Sequence, residues 1–204
     1  MREVVLATRS AGKLRELEPM LRAAGYVPRL LGDVGVAPSP AEDGIEVFDT
    51  FVANAQAKAA YFWARGGGRA VLAEDSGIVV PSLGGAPGVW SKRFSGRTDL
   101  AGEALDAANN AELLRRLAGV SDRRAYYESW AVWQDDAGVV TEMGRCSGRI
   151  LEHAVGDGGF GYDPIVWSDD LGCGFGEASP EAKAAVSHRG RAMRALLARL
   201  ARGR

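Results

Sequence analysis

The chain has 204 residues, 47% of them apolar and 25% charged, with a formal net charge of −1 at pH 7. That balance supplies no overall field toward nucleic acid or anionic lipid, so an anionic ligand must be held by a few placed cations. Two cysteines without a CxxC pair exclude a disulfide scaffold, and the polar opening "MREVVLATRS" excludes a signal peptide, so a cytoplasmic protein with no nucleic-acid or membrane partner is expected.

In chain order, the β-branched run from Val4 to Ala7 suits a buried strand. The stretch "GKLRELEPMLRAAG" sets Leu14, Leu17 and Leu21 at helical spacing and stops at Gly25, with Pro19 predicting a kink or a late start. The alanine-rich segment from Phe51 to Arg65 reads as a helix ended by Gly66, Gly67 and Gly68. "RAVLAE" and "GIVV" are strand-like, and "EALDAANNAELLRRLAG" is a helix with Leu113, Leu114 and Leu117 on one side. The alternating segment after Ala125 turns at Asp136-Ala137-Gly138, a hairpin signal that could supply a second lobe. The last helix carries Met193, Leu196, Leu197 and Leu200 toward a core. Strands and helices mix without strict alternation, which predicts an α/β mixed-sheet domain over residues 1–204.

Four stretches carry polar residues that patterning alone does not require. "LATRSAGKL" is a strand-to-helix turn in which Thr8, Ser10, Gly12 and Lys13 combine hydroxyls, helix-start N–H groups and a cation into an anion site. Ala7 and Leu14 stand where a P-loop needs glycine and Ser/Thr, so Walker A is rejected. "LAEDSGIVV" places Glu74 and Asp75 behind an apolar run, where an unpaired charge costs several kcal/mol. "GDGGFGYDPIVW" contains a formal GxGxxG at Gly156, Gly158 and Gly161, but Pro164 and an apolar run follow, so it leads into a strand and is no dinucleotide fingerprint. Its alternative is a glycine-rich loop presenting Phe160, Tyr162 and Asp163 to a flat ligand, against a plain tight turn with both rings in the core. "AVSHRGRAM" offers Ser187, His188 and Arg189 before the last helix. Lys58, Lys183 and Arg189, taken singly, read as solvated charges, and a Ser76–His188 hydrolase pair has no GxSxG elbow behind it.

Five segments in order, "LATRSAGKLREL", "FVANAQAKA", "EDSGIVVPSLGGAPGVWSKRFSG", "GGFGYDPIVW" and "EAKAAVSHRGRAM", span nearly the whole chain. Together they resemble the inosine triphosphate pyrophosphatase family. The resemblance implies a two-lobed α/β fold with a substrate groove between lobes, a homodimer, and Mg²⁺-dependent cleavage of non-canonical purine nucleoside triphosphates to a monophosphate and pyrophosphate. Carried over by position, Thr8, Arg9, Ser10, Ala11, Gly12 and Lys13 would bind phosphates with Lys58, and Ser76 would contact substrate. Phe160, Gly161, Tyr162, Asp163, Lys183, His188 and Arg189 would contact the nucleotide. Asp75 would be metal ligand and general base, with either Glu42 or Glu74 as the second metal ligand, and Lys13 and Glu42 would also be catalytic. This chain departs from the family in having Ser10 for asparagine, Ala53 for glutamate, Glu74 for aspartate, and a longer segment between Gly44 and Phe51.

Overall fold

The computed structural model describes residues 2–203. Helices and strands alternate along the first third of the chain: β1 (Arg2–Leu6), α1 (Ala11–Ala23), β2 (Tyr26–Arg29), α2 (Phe51–Arg65) and β3 (Val71–Val79). There follow α3 (Gly102–Arg116), the long strands β4 (Arg124–Asp135) and β5 (Gly138–Ile150), the short β6 (Val166–Ser168) and β7 (Cys173–Gly174), and finally α4 (Pro180–Val186) and α5 (His188–Ala201). Among the described residues the strands form one mixed seven-stranded sheet in the order β2-β1-β3-β4-β5-β6-β7. β1 runs parallel to both β2 and β3, while β6 is antiparallel to β5 and β7. The mixed-sheet α/β expectation is met.

Contacts divide the chain into two compact units, neither continuous in sequence. The first contains Met1–Asp75, Ser129–Gly144 and Arg189–Arg204; the second contains Ser76–Glu128 and Arg145–His188. The predicted hairpin does not form a lobe of its own, because its tip belongs to the first unit and its base to the second.

In the first unit, β1 is buried on both faces, as parallel strands flanked by helices are. Val4 and Leu6 join Leu17 and Leu21 of α1, Leu72 of β3 and Met193 and Leu196 of α5. Val5 and Ala7, one residue out of phase, join Ala55, Ala59 and Phe62 of α2 together with Val71 and Ala73. Period-two alternation thus sends successive β3 side chains to different helices. α1 runs through Pro19 without the late start that the proline suggested. The proline faces solvent, where water can satisfy the carbonyl its missing N–H abandons. The second unit packs Leu113 and Leu117 of α3 against Ile78, Tyr127, Ile150, Ile165 and Phe175. No helix among the described residues is long and apolar enough to cross a membrane.

Candidate active site

The first unit gathers a cationic, acidic cluster around the middle of β3. At the turn before α1, Thr8 Oγ1 accepts the Ser10 N–H at 3.1 Å, and Ser10 Oγ, the helix N-cap, accepts the Lys13 N–H at 3.4 Å. The hydroxyls therefore pin the turn, leaving the first-turn amides of Ala11 and Gly12 without acceptors inside the helix. Lys13 leads from that turn to β3: its Nζ lies 2.8 Å from Glu74 Oε2, 3.4 Å from the Glu74 carbonyl and 4.0 Å from Asp75 Oδ1. Lys58 arrives from α2, donating to the same Glu74 carbonyl at 3.1 Å and sitting 3.9 Å from Asp75 Oδ1.

The two adjacent acids have different surroundings because they point to opposite faces of the strand. Glu74, 1% exposed, faces α1 and α5. Ser129 Oγ donates to its Oε1 at 2.6 Å, the Arg189 guanidinium lies 3.3 Å from the same oxygen, and Lys13 holds the other. Burial alone would raise its pKa, but the Arg189 and Lys13 charges hold it well below the ordinary carboxylate range. Asp75 points toward α2. Burial pushes its pKa above the ordinary value despite the opposing pull of Lys58 and Lys13. Lys58 stays charged: burial works against it, and Asp75 and Glu46 together prevail.

Three of the expected site residues have specific partners within the protein. The Glu42 carboxylate takes two bonds from Arg9, both 2.7 Å, and closes a capping box with Ser39. A guanidinium matches a carboxylate edge-on with two charged hydrogen bonds, so this partner wins. The acid brought to Lys58 is Glu46. Asn54 seats it by accepting the Phe48 N–H at 2.9 Å and donating to the Phe48 carbonyl at 3.1 Å, one helical turn before Lys58. Glu74 is surrounded by cations and a hydroxyl rather than offered to a metal. Arg189 gives its guanidinium to Glu16 and Glu74. Among the described residues no three acid, histidine or cysteine side chains form a ready-made metal cage.

The second unit holds the glycine-rich loop. Its glycines are demanded by close approach: a Cβ on Gly156 would lie 2.2 Å from the Gly176 carbonyl oxygen, and one on Gly159 2.2 Å from Asp163 Oδ2. Asp163, 2% exposed, accepts the Phe160 N–H at 2.7 Å and pairs with Lys183 Nζ at 2.5 Å, while the Tyr127 hydroxyl lies 3.4 Å away. Lys183 Nζ also lies 4.9 Å from the centre of the Phe160 ring. His188 stacks on Tyr127 at 4.4 Å between ring centres, with Nδ1 3.9 Å from Cys146 Sγ. The two aromatic residues of the loop part company. Tyr162 turns into the core and donates its hydroxyl to the Ser91 carbonyl at 2.7 Å, while Phe160 stays half-buried. Ser76 lies next along β3 after Asp75 and is also half-buried.

Sequence reasoning missed Glu46, Glu16 and Ser129. A signal for Glu46 existed in its place four residues before the Thr50 helix cap, within a loop that Asn54 folds back.

Comparison with known proteins converges on one family. A family model described as "Ham1 family" matches residues 4–199. The chain is similar to the dITP/XTP pyrophosphatase of Burkholderia pseudomallei, 43% identical over 97% of this chain and 92% of that one. It is similar to the dITP/XTP pyrophosphatase of Ralstonia nicotianae, 42% identical over 98% and 97%. Its fold matches a solved HAM1 protein from Coxiella burnetii with a TM-score of 0.83 and 31% identity, covering 99% of this chain and 100% of the other. It also matches the nucleoside-triphosphatase / dITP/XTP pyrophosphatase of Mycobacterium abscessus, with a TM-score of 0.71 and 37% identity over 96% and 98%. The family model's match from residue 4 to residue 199, with relatives 42–43% identical over nearly the whole chain, places this chain in the Ham1 family.

Proposed function

We propose that the protein hydrolyses non-canonical purine nucleoside triphosphates (ITP, dITP and XTP) between the α and β phosphates, yielding the monophosphate and pyrophosphate. Relatives at 42–43% identity carry the name dITP/XTP pyrophosphatase. The observation that carries the reading is the pair of lysines, Lys13 and Lys58, set 4.0 and 3.9 Å from one carboxylate oxygen of Asp75 beside a capped helix start. Two ammonium groups and the Ala11 and Gly12 amides suit a polyphosphate, and their placement against developing charge stabilises the departing pyrophosphate.

Asp75 is the base. Burial raises its pKa toward the operating pH, which strengthens it as acceptor for the proton of a water attacking the α phosphorus. The bridging P–O bond to the β phosphate then breaks, and the electron pair leaves on pyrophosphate. Mg²⁺ fits the donor set: Asp75 and Glu46 both approach Lys58, and this ion is commonly held by one or two carboxylates together with substrate phosphates. When bound, it would neutralise phosphate oxygens and acidify a coordinated water.

Phe160 supplies a face for the base. Donors from Lys183 and His188 suit the 6-oxo acceptor of hypoxanthine and xanthine, whereas adenine would set its 6-amino donor against them. A homodimer in the cytoplasm completes the proposal, and light scattering on the purified protein checks the dimer.

The decisive assay incubates the protein with ITP, XTP or ATP and MgCl₂ and separates pyrophosphate from orthophosphate. Pyrophosphate from ITP and XTP, abolished by EDTA, is expected. Orthophosphate as first product would move the cut to the γ position and overturn the reading. Asp75→Asn should lose at least about 10³-fold in kcat with an unchanged melting temperature.

A further inference from the structure

The glycine-rich loop is gripped from α3 by two side chains one helical turn apart. Asp106 Oδ2 accepts the Gly161 N–H at 2.9 Å, and Asn110 Nδ2 donates to the Gly161 carbonyl at 3.0 Å. Both polar groups of a single main-chain residue are thus taken by one helix. Gly161 itself has φ +65°, and no atom lies within 4 Å of where its Cβ would stand. The turn around it is closed by the Phe160 N–H on Asp163 and the Asp163 N–H on the Phe160 carbonyl, so the α3 side chains supply the hydrogen bonds to Gly161 itself. A glycine without that grip samples both signs of φ with little preference. The neighbours on either side are Phe160 and the Tyr162–Asp163 pair, whose orientation follows from the Gly161 dihedrals.

The grip is costly, which argues against an incidental contact. Burial pushes the Asp106 carboxyl pKa upward, and the Gly161 N–H is the hydrogen bond that offsets it. Asn110 Oδ1 is buried without a hydrogen-bond partner among the described residues, a penalty that an apolar side chain at this position would avoid. The residue before Asn110 shows the same habit: Asn109 accepts the Ser95 N–H at 2.8 Å and donates to the Lys92 carbonyl at 3.0 Å. The middle of α3 therefore fixes two loops, Asn109 holding the Lys92–Ser95 segment and Asp106 with Asn110 holding the loop bearing Phe160.

We propose that Asp106 and Asn110 are positioning residues for the nucleotide base, clipping Gly161 so that the Phe160 ring and the loop amides hold one arrangement before ligand arrives. The inference rests on the nucleotide-hydrolase reading above and deepens it. Preorganisation of this kind lowers the ordering cost of binding and leaves the chemical step alone. Each of Asp106→Ala and Asn110→Ala should raise KM for ITP about tenfold while kcat stays within about twofold. Asp106→Asn, which keeps an acceptor for the Gly161 N–H, should restore KM. Inorganic tripolyphosphate, which has no base to place, should inhibit the alanine variants as strongly as wild type.

Amide hydrogen exchange over residues 158–163 in the nucleotide-free protein supplies a readout independent of turnover. Faster exchange there in both alanine variants, and slow exchange in Asp106→Asn, is expected. Unchanged exchange and unchanged KM in both alanine variants would overturn the proposal. So would equal weakening of ITP and tripolyphosphate with a lowered melting temperature that Asp106→Asn fails to rescue. If wild type releases no pyrophosphate from any purine triphosphate, the proposed function fails, and calorimetric binding of IMP with the exchange data still decides the clip.

Discussion

Glu74 has a cation at each carboxylate oxygen, with Lys13 at 2.8 Å from one and Arg189 at 3.3 Å from the other. Removing its charge would leave those cations buried with less compensation, a loss on the order of 3–5 kcal/mol. Its folded pKa lies well below the ordinary value of 4.5. The sign follows: the unfolded chain protonates Glu74 first on acidification, so its contribution is complete above about pH 4.5 and is lost as pH falls through the folded value. Urea denaturation should therefore find Glu74→Gln much less stable than wild type at neutral pH, with the gap narrowing below about pH 4. A gap independent of pH would contradict this role. Both acids were visible in "LAEDSG", but which one is structural depends on the helix each side chain meets, and the sequence does not state that.

β5 and β6 depend on a glycine for a different reason from the loop. Gly148 pairs with Ser168, and a Cβ there would stand 1.9 Å from the Trp167 carbonyl oxygen. Gly148→Ala must push backbone from backbone, costing about 1–3 kcal/mol or more. Gly161→Ala meets no atom and bears only the left-handed φ of +65°, about 1–2 kcal/mol. Thermal melts should rank Gly148→Ala below Gly161→Ala. Most elements were legible from pattern: α2 spans Phe51–Arg65 as the alanine-rich run and Gly66 predict, and the structure adds Thr50 as its cap. β3 was read as two pieces, "RAVLAE" and "GIVV", with Asp75 and Ser76 between them, yet the strand continues through since Lys13, Lys58, Arg189 and Ser129 satisfy the acids. The formal GxGxxG was correctly set aside, though the demand for glycine at Gly156 comes from Gly176, twenty residues on.

Across the whole molecule, β3, β4 and β5 each contribute residues to both compact units. Neither unit can lose its strands without removing strands from the other, so one cooperative unfolding transition is expected. Trp63, Trp130 and Trp133 lie in the first unit, and Trp90 and Trp167 in the second. Fluorescence from variants keeping tryptophans in only one unit should give midpoints that coincide with circular dichroism; separated midpoints would mean the units melt independently. The site was legible where it depends on short-range rules, as at the Thr8–Lys13 turn, and illegible where it depends on long-range seating. Glu42 looked like the partner of Asp75 because an acid before glycine is easily aligned. The acid that pairs with Lys58 is Glu46, in the loop that Asn54 fixes at Phe48.

Lys13 and Lys58 both donate to the main-chain carbonyl of Glu74, at 3.4 and 3.1 Å. That anchor survives any change of side chain at position 75. Grip on the triphosphate and its scission are consequently separable: an Asp75→Asn protein would retain cargo it can no longer cut. Immobilised and exposed to a cell extract, it becomes a bait, and mass spectrometry of what it keeps would display the substrates this protein meets in the cell.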